Sequence, residues 1–279
     1  MFEPKTILAA TDLTRRSAAV PARAAEIARA HDARLVLVHV LEPAKTGVAR
    51  LRLGRKDDRL RRAQSEMGTL RAQFPDIEIT CRVVEGNPAK VIPELADKHG
   101  ADLIVLGLHL PRRVLETLRL SNLERITQAT RCPVLIAHND TAVPYRRALG
   151  AITFAPASAR ALRVAARLAP EAELHAIHAL QMPFAAKRTS ADLMKTPEMT
   201  KAELLRDAFM ALDGRPEHLH LPEIVPGGVH EVLQFRIGEL QPDLVVIGSH
   251  SGRDPENLGN YARDLMRAPP TDMLVAKPG

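Results

Sequence analysis

The chain has 279 residues, 46% of them hydrophobic but only 3% aromatic, with no Trp and a formal charge of +6. No apolar run approaches the ~20 residues of a membrane span, and the N-terminus MFEPKTILAATD lacks a charged-then-apolar leader pattern, so a soluble, cytoplasmic protein with an aliphatic core is expected. Two cysteines, Cys81 and Cys132, make neither a disulfide framework nor a metal knuckle.

In chain order, ILAATDLT (7–14) reads as a strand ending in a turn, and SAAVPARAAEIARA (17–30) as a helix. LVLVHVLEP (35–43) is an apolar strand with an embedded His39. The segment 45–62 then holds eight basic residues against Asp57 and Asp58. It is the source of the positive charge, because residues 1–140 carry 23 basic and 17 acidic side chains whereas 141–279 carry 16 of each. Without interleaved aromatics or a recognition helix, it reads as a solvated helix face before a nucleic-acid grip, with an acidic protein partner next. EGNPAKVIPELADKHGADLIVLGLH (85–109) is a Gly turn, a helix and a strand, and CPVLIAHN (132–139) is a last strand.

The same landmarks return at offsets of about 139–141 residues: GAITFAPA (150–157), SARALRVAARLA (158–169), LHAIHALQMP (174–183), PGGVHEVLQFRIGELQPDLVVIGSH (226–250) and TDMLVAKP (271–278). An internal repeat of this length makes two domains, 1–140 and 148–279, joined by a short linker at 141–147. Runs such as DLIVLG and DLVVIG are apolar without alternation, the mark of parallel strands buried on both faces. The expected fold is α/β: two tandem doubly wound, Rossmann-like domains, each with about five mostly parallel strands and about four helices.

In such sheets ligands bind beyond the carboxyl ends of the strands, at the point where strand order reverses. TDLT, a strand ending in VHV, EGNPA, ADLIVLGLH and CPVLIA, in that order, resemble the universal stress protein family over both copies. The resemblance implies an adenine-nucleotide fold in which an Asp after the first strand holds the adenosine part. The residue after the second-strand His lies near the adenine, and a Gly, two residues, Gly, nine residues, Gly, Ser/Thr loop cradles the phosphates. Carried over to copy one, these are Asp12, Val40, Gly107 with His109 beside it, and Ser121, with Leu110 and Leu120 replacing the second and third glycines. In copy two, Thr153 replaces the Asp and Ala179 matches Val40, while Gly248, Ser251, Gly259 and Asn260 line the corresponding shortened loop, with Ser251 in place of the second glycine.

The motifs are therefore degenerate, and the function expected is that of a non-enzymatic stress-response protein acting by ligand or partner binding. Two alternatives stay open: an ATP- or AMP-binding switch through copy one, and a metal- or small-ligand-binding protein through copy two. For the latter, His218 and His220 fall at i and i+2 on an expected strand, with His175 and His230 in the same copy. His39 and His178 read as structural histidines bonding neighbouring backbone. No catalytic triad or P-loop lysine motif appears; weak ATPase activity is left open. The resemblance further implies that Val134–Ala137 and Met273–Ala276 pair to make an intramolecular pseudo-dimer, with dimerisation of the whole chain also open.

Overall fold

A computed structural model of the chain describes residues 3–43, 56–108, 120–181, 196–249 and 258–278. It divides into two compact units, Met1–Pro144 with Met266–Pro269, and Tyr145–Leu265 with Pro270–Gly279. His109, Leu110, Ser251 and most of the basic segment, 44–55, lie outside the described residues.

In the first unit the strands are β1 (Thr6–Ala10), β2 (Arg34–Leu41), β3 (Ile79–Glu85), β4 (Leu103–Gly107) and β5 (Val134–Ala137). All their pairings are parallel, in the order β3-β2-β1-β4-β5. Helices α1 (Ala19–His31), α2 (Lys56–Ala72), α3 (Pro88–His99) and α4 (Asn122–Ala129) supply crossovers, since parallel neighbours cannot be joined by a hairpin. Strand order reverses between β1 and β4.

The second unit repeats this plan with β6 (Arg147–Ala151), β7 (Glu173–Leu180), β8 (Glu223–Pro226), β9 (Leu244–Gly248) and β10 (Asp272–Ala276). Their order is β10-β9-β6-β7-β8, again all parallel. Its helices are α5 (Pro156–Leu168), α6 (Pro197–Met210), α7 (Val229–Leu240) and α8 (Asn260–Arg267).

The core is aliphatic, as the composition requires. Leu103, Ile104 and Val105 of β4 and Leu244, Val245 and Val246 of β9 have no exposed surface. Consecutive burial of this kind means that both faces of the strand are covered. Local chemistry sets the helix ends. The Asn87 side chain accepts from Ala89 N at 3.0 Å and Pro88 opens α3, while Thr196 caps α6 through Met199 N at 3.3 Å. The repeat extends to single hydrogen bonds. Asp102 accepts from the amides of Lys5 and Thr6, and Asp243 from those of Arg146 and Arg147, so each carboxylate fixes the start of the first strand of its copy.

After β5 the chain is held by Arg23, which is 2% exposed. Its guanidinium donates to Val143 O at 2.6 Å and Thr141 O at 3.1 Å and pairs with Glu26 at 3.2 Å. None of the described helices is long and apolar enough to cross a membrane.

Candidate functional site

At the carboxyl end of β1 the chain turns through Leu13 at φ +58°, and copy two turns the same way through Phe154 at φ +57°. Left-handed backbone at a non-glycine residue costs on the order of 1 kcal/mol and needs support from its surroundings. Part of that support is the Thr11 hydroxyl, which accepts from Leu13 N at 3.1 Å. Asp12 Oδ1 gathers three donors: Ser17 Oγ at 2.6 Å, Thr14 Oγ1 at 2.7 Å and Thr14 N at 2.9 Å. Ser17 Oγ in turn accepts from Asp12 N at 3.2 Å and lies 2.8 Å from Thr11 Oγ1. Burial alone would raise the Asp12 pKa. The hydrogen bonds from Ser17 and Thr14, with a smaller attraction from His39, outweigh burial and hold it below the ordinary carboxylate value. The result is an exposed, ionised carboxylate fixed through one oxygen, whose Oδ2 makes no hydrogen bond to the described residues.

His39 Nδ1 lies 2.9 Å from Thr11 O and His178 Nδ1 2.9 Å from Ile152 O. A carbonyl can only accept, so each ring carries its proton on Nδ1. Each histidine ties the second strand of its copy to the end of the first. Val40 is half-buried near the end of β2, beside Val84 of β3. In copy two Thr153 keeps the backbone turn, its amide donating to Ser158 Oγ at 3.1 Å, but brings no carboxylate.

The two glycines assigned to phosphate approach also have a packing reason. A Cβ on Gly107 would sit 3.2 Å from Ser17 Cα and Cβ and from Val20 Cγ2. One on Gly248 would sit 3.0 Å from Ala157 C and Cβ and from Ser158 N. In both copies a glycine lets the fourth strand end against the start of the first helix.

Ser121 stands at the N-cap of α4. Its hydroxyl accepts from Glu124 N at 3.2 Å, and its amide donates to Glu124 Oε2 at 2.6 Å, closing a capping box. The buried Glu124 carboxylate thus takes up part of the positive helix end. Leu120 beside it is exposed. In copy two Gly259 N donates to Ser249 O at 2.9 Å, and the Asn260 side chain accepts from Arg263 within α8. Asp12, His39 and Gly107 therefore lie about the β1 turn, through Thr11 and Ser17, whereas Val40 lies beside Val84 and Ser121 shares no hydrogen bond with Asp12.

No motif marks Ser17, although its hydroxyl bonds Asp12 and Thr11 and its Cα and Cβ fill the space a side chain at Gly107 would need. Its recurrence as Ser158, 141 residues on, is the signal that marks it.

The histidine pair of copy two is arranged differently from expectation. His218 lies in a turn rather than on a strand, because β8 begins only at Glu223. His220 instead stacks flat on His175, with centroids 4.4 Å apart and planes at 1°. Parallel rings aim their nitrogen lone pairs side by side and not at one point. No group of three or more potential metal ligands occurs among the described residues. On α2, Arg61 pairs with Asp58 at 2.7 Å and Arg62 with Glu66 at 3.0 Å, exposed pairs along the helix surface.

The sequence model of the universal stress protein family matches residues 3–138 and again 144–277. The chain belongs to the universal stress protein family. As a tandem member it has the family's α/β fold twice over. A universal stress protein from Archaeoglobus fulgidus DSM 4304 is similar over 98% of this chain and 96% of its own, with TM-score 0.73 and 20% identity. A putative universal stress protein from Pseudomonas aeruginosa UCBPP-PA14 is similar over 99% of this chain and 94% of its own, with TM-score 0.67 and 19% identity. A shorter universal stress protein, solved in complex with cAMP, is 27% identical over 48% of this chain and 97% of its own, with TM-score 0.37. Among curated proteins nothing matches.

Proposed function

We propose that this tandem universal stress protein acts in the stress response by binding, without catalysis, and that its first copy holds an adenine nucleotide, ATP or AMP, through a reduced form of the family site. The observation that carries this reading is the Asp12 carboxylate, fixed on Oδ1 by three donors and open at Oδ2. A carboxylate so held accepts hydroxyl hydrogens of a ribose without first being ordered. Val40 offers an apolar contact for the base, and Gly107 brings backbone close to the mouth. Copy two has the same turn without the carboxylate, which supports a loss of binding there.

Binding rather than catalysis is supported by how the nearby polar groups are used. The Ser17 hydroxyl holds Asp12 and the His39 Nδ1 proton holds Thr11 O, so both contacts serve to position the turn. Pairing of the copies through their last strands, dimerisation of the whole chain, a cytoplasmic location and a protein partner belong to the same proposal.

Calorimetric titration with ATP and AMP tests the nucleotide reading. Loss of charge-assisted hydrogen bonds worth about 1.5–3 kcal/mol predicts that Asp12→Ala weakens binding tenfold or more, while Thr153→Ala leaves it unchanged. No saturable heat with the wild-type chain, or equal affinity in Asp12→Ala, sinks this reading.

A further inference from the structure

A cleft of about 300 Å³ opens in the first unit, with neither Asp12 nor Val40 in its lining. Arg15, Ala18 and Ala19 line it from the turn before α1 and the start of that helix. Leu108 lines it after β4, and Ala137, His138 and Asp140 at and beyond the end of β5. This size lies at the lower end of small-molecule sites. Its polar lining is mixed in sign: the guanidinium of Arg15 and the carboxylate of Asp140 share it without pairing with each other.

The second copy shows what this space can hold. The sheet registers align Gly107 and Ala137 with Gly248 and Ala276, and the Ser17 and Ser158 hydrogen bonds align α1 with α5 at an offset of 141. On that alignment Ala19 corresponds to Arg160. Arg160 Nη1 donates to Lys277 O at 3.2 Å and Pro278 O at 3.1 Å, so in copy two a guanidinium spans from the first helix to the segment after the last strand. The corresponding carbonyls in copy one belong to His138 and Asn139, and the corresponding side chain is a methyl group. A carbonyl oxygen has two lone pairs and accepts a second donor readily. Copy one has therefore kept the acceptors, added the Asp140 carboxylate and removed the side chain that occupies this place in its twin.

We propose that this cleft is a binding site for a small zwitterion carrying a guanidinium or primary ammonium group, an amino acid of the arginine kind. The cationic group takes the place of the Arg160 guanidinium, against the carbonyls of 138 and 139 and the carboxylate of Asp140. The anionic group faces Arg15, whose charge disfavours a ligand that is cationic only. The alanines and Leu108 pack the aliphatic stem. None of these contacts uses Asp12 or Val40, although Leu108 directly follows Gly107 of the proposed nucleotide site.

The probe is free L-arginine, titrated into the full chain by calorimetry and followed by amide chemical shifts. A ligand of this size in a half-open cleft predicts a Kd on the order of 0.1–1 mM. Ala19→Arg restores the internal guanidinium of copy two and should abolish binding. Asp140→Asn, a surface change that leaves packing intact, should weaken it about tenfold or more. Agmatine, the same molecule without the carboxylate, should bind several-fold more weakly, and more equally once Arg15→Gln is introduced. Absence of saturable binding up to about ten times that range, or binding that survives both Ala19→Arg and Asp140→Asn, overturns the proposal. Equal affinity for agmatine and arginine overturns the zwitterion assignment.

Discussion

Replacing Arg23 with methionine keeps an unbranched stem in a buried position and removes only the guanidinium. In the wild type that group serves Val143 O, Thr141 O and Glu26, at 2.6, 3.1 and 3.2 Å. Hydrogen bonds to charged groups contribute about 1.5–3 kcal/mol each when taken alone, and breaking a buried pair by deleting one partner costs about 3–5 kcal/mol. One group makes all three contacts, so the losses do not add in full. Methionine also avoids the cost of burying a charge, and the Glu26 side chain keeps 14% of its surface exposed. The expected loss is about 3 kcal/mol. At roughly 2–4 °C per kcal/mol for chains of 150–250 residues, the melting temperature should fall by about 6–12 °C. Urea denaturation followed by circular dichroism should show the midpoint fall with little change in slope. Arg160→Met is the internal control: its two carbonyl contacts lie in a part-buried place and its loss should be about 1 kcal/mol. A loss below about 0.5 kcal/mol for Arg23→Met, the level of an ordinary surface change, would refute the idea that Arg23 clamps the segment after β5.

Two further outcomes follow from the site. The Asp12 pKa is depressed in the folded chain, so its stabilising contribution is present above the unfolded value of about 3.9 and lost as pH falls below it through the folded value. The stability difference between wild type and Asp12→Ala should therefore be constant from neutral pH to about pH 5 and shrink in more acid solution; a difference that grows on acidification reverses the assigned sign. Gly248→Ala places a methyl 3.0 Å from Ala157 and Ser158 backbone, which cannot give as a flexible side chain can, and should cost about 1–3 kcal/mol. Gly107→Ala, with its nearest contacts at 3.2 Å, should cost less; denaturation midpoints in the opposite order remove the packing account of these glycines.

The sequence by itself determined the fold and its duplication. Unbroken apolar runs such as LIVLG and LVVIG, short and rich in β-branched residues, mark strands covered on both faces, and four landmarks returning in order at a near-constant offset point to one architecture used twice. Local structure was legible where one residue type does one job, as with the histidines that bond to the Thr11 and Ile152 carbonyls. It was not legible where function depends on which side chains meet. Ser17 has no motif of its own, yet it joins Asp12, Thr11 and the end of β4. His218 and His220 share a sequence spacing, but the late start of β8 puts one in a turn and stacks the other on His175. The exchange of Ala19 for Arg160 is a single unremarked difference between two helices. It borders a cleft in one copy and places a guanidinium bonded to two carbonyls in the other only because the segment after the last strand folds back beside the first helix. Periodicity along the chain encodes which faces are buried, because burial acts on every residue of an element. Contacts between residues over a hundred positions apart leave no periodic trace, and only the tertiary structure decides them.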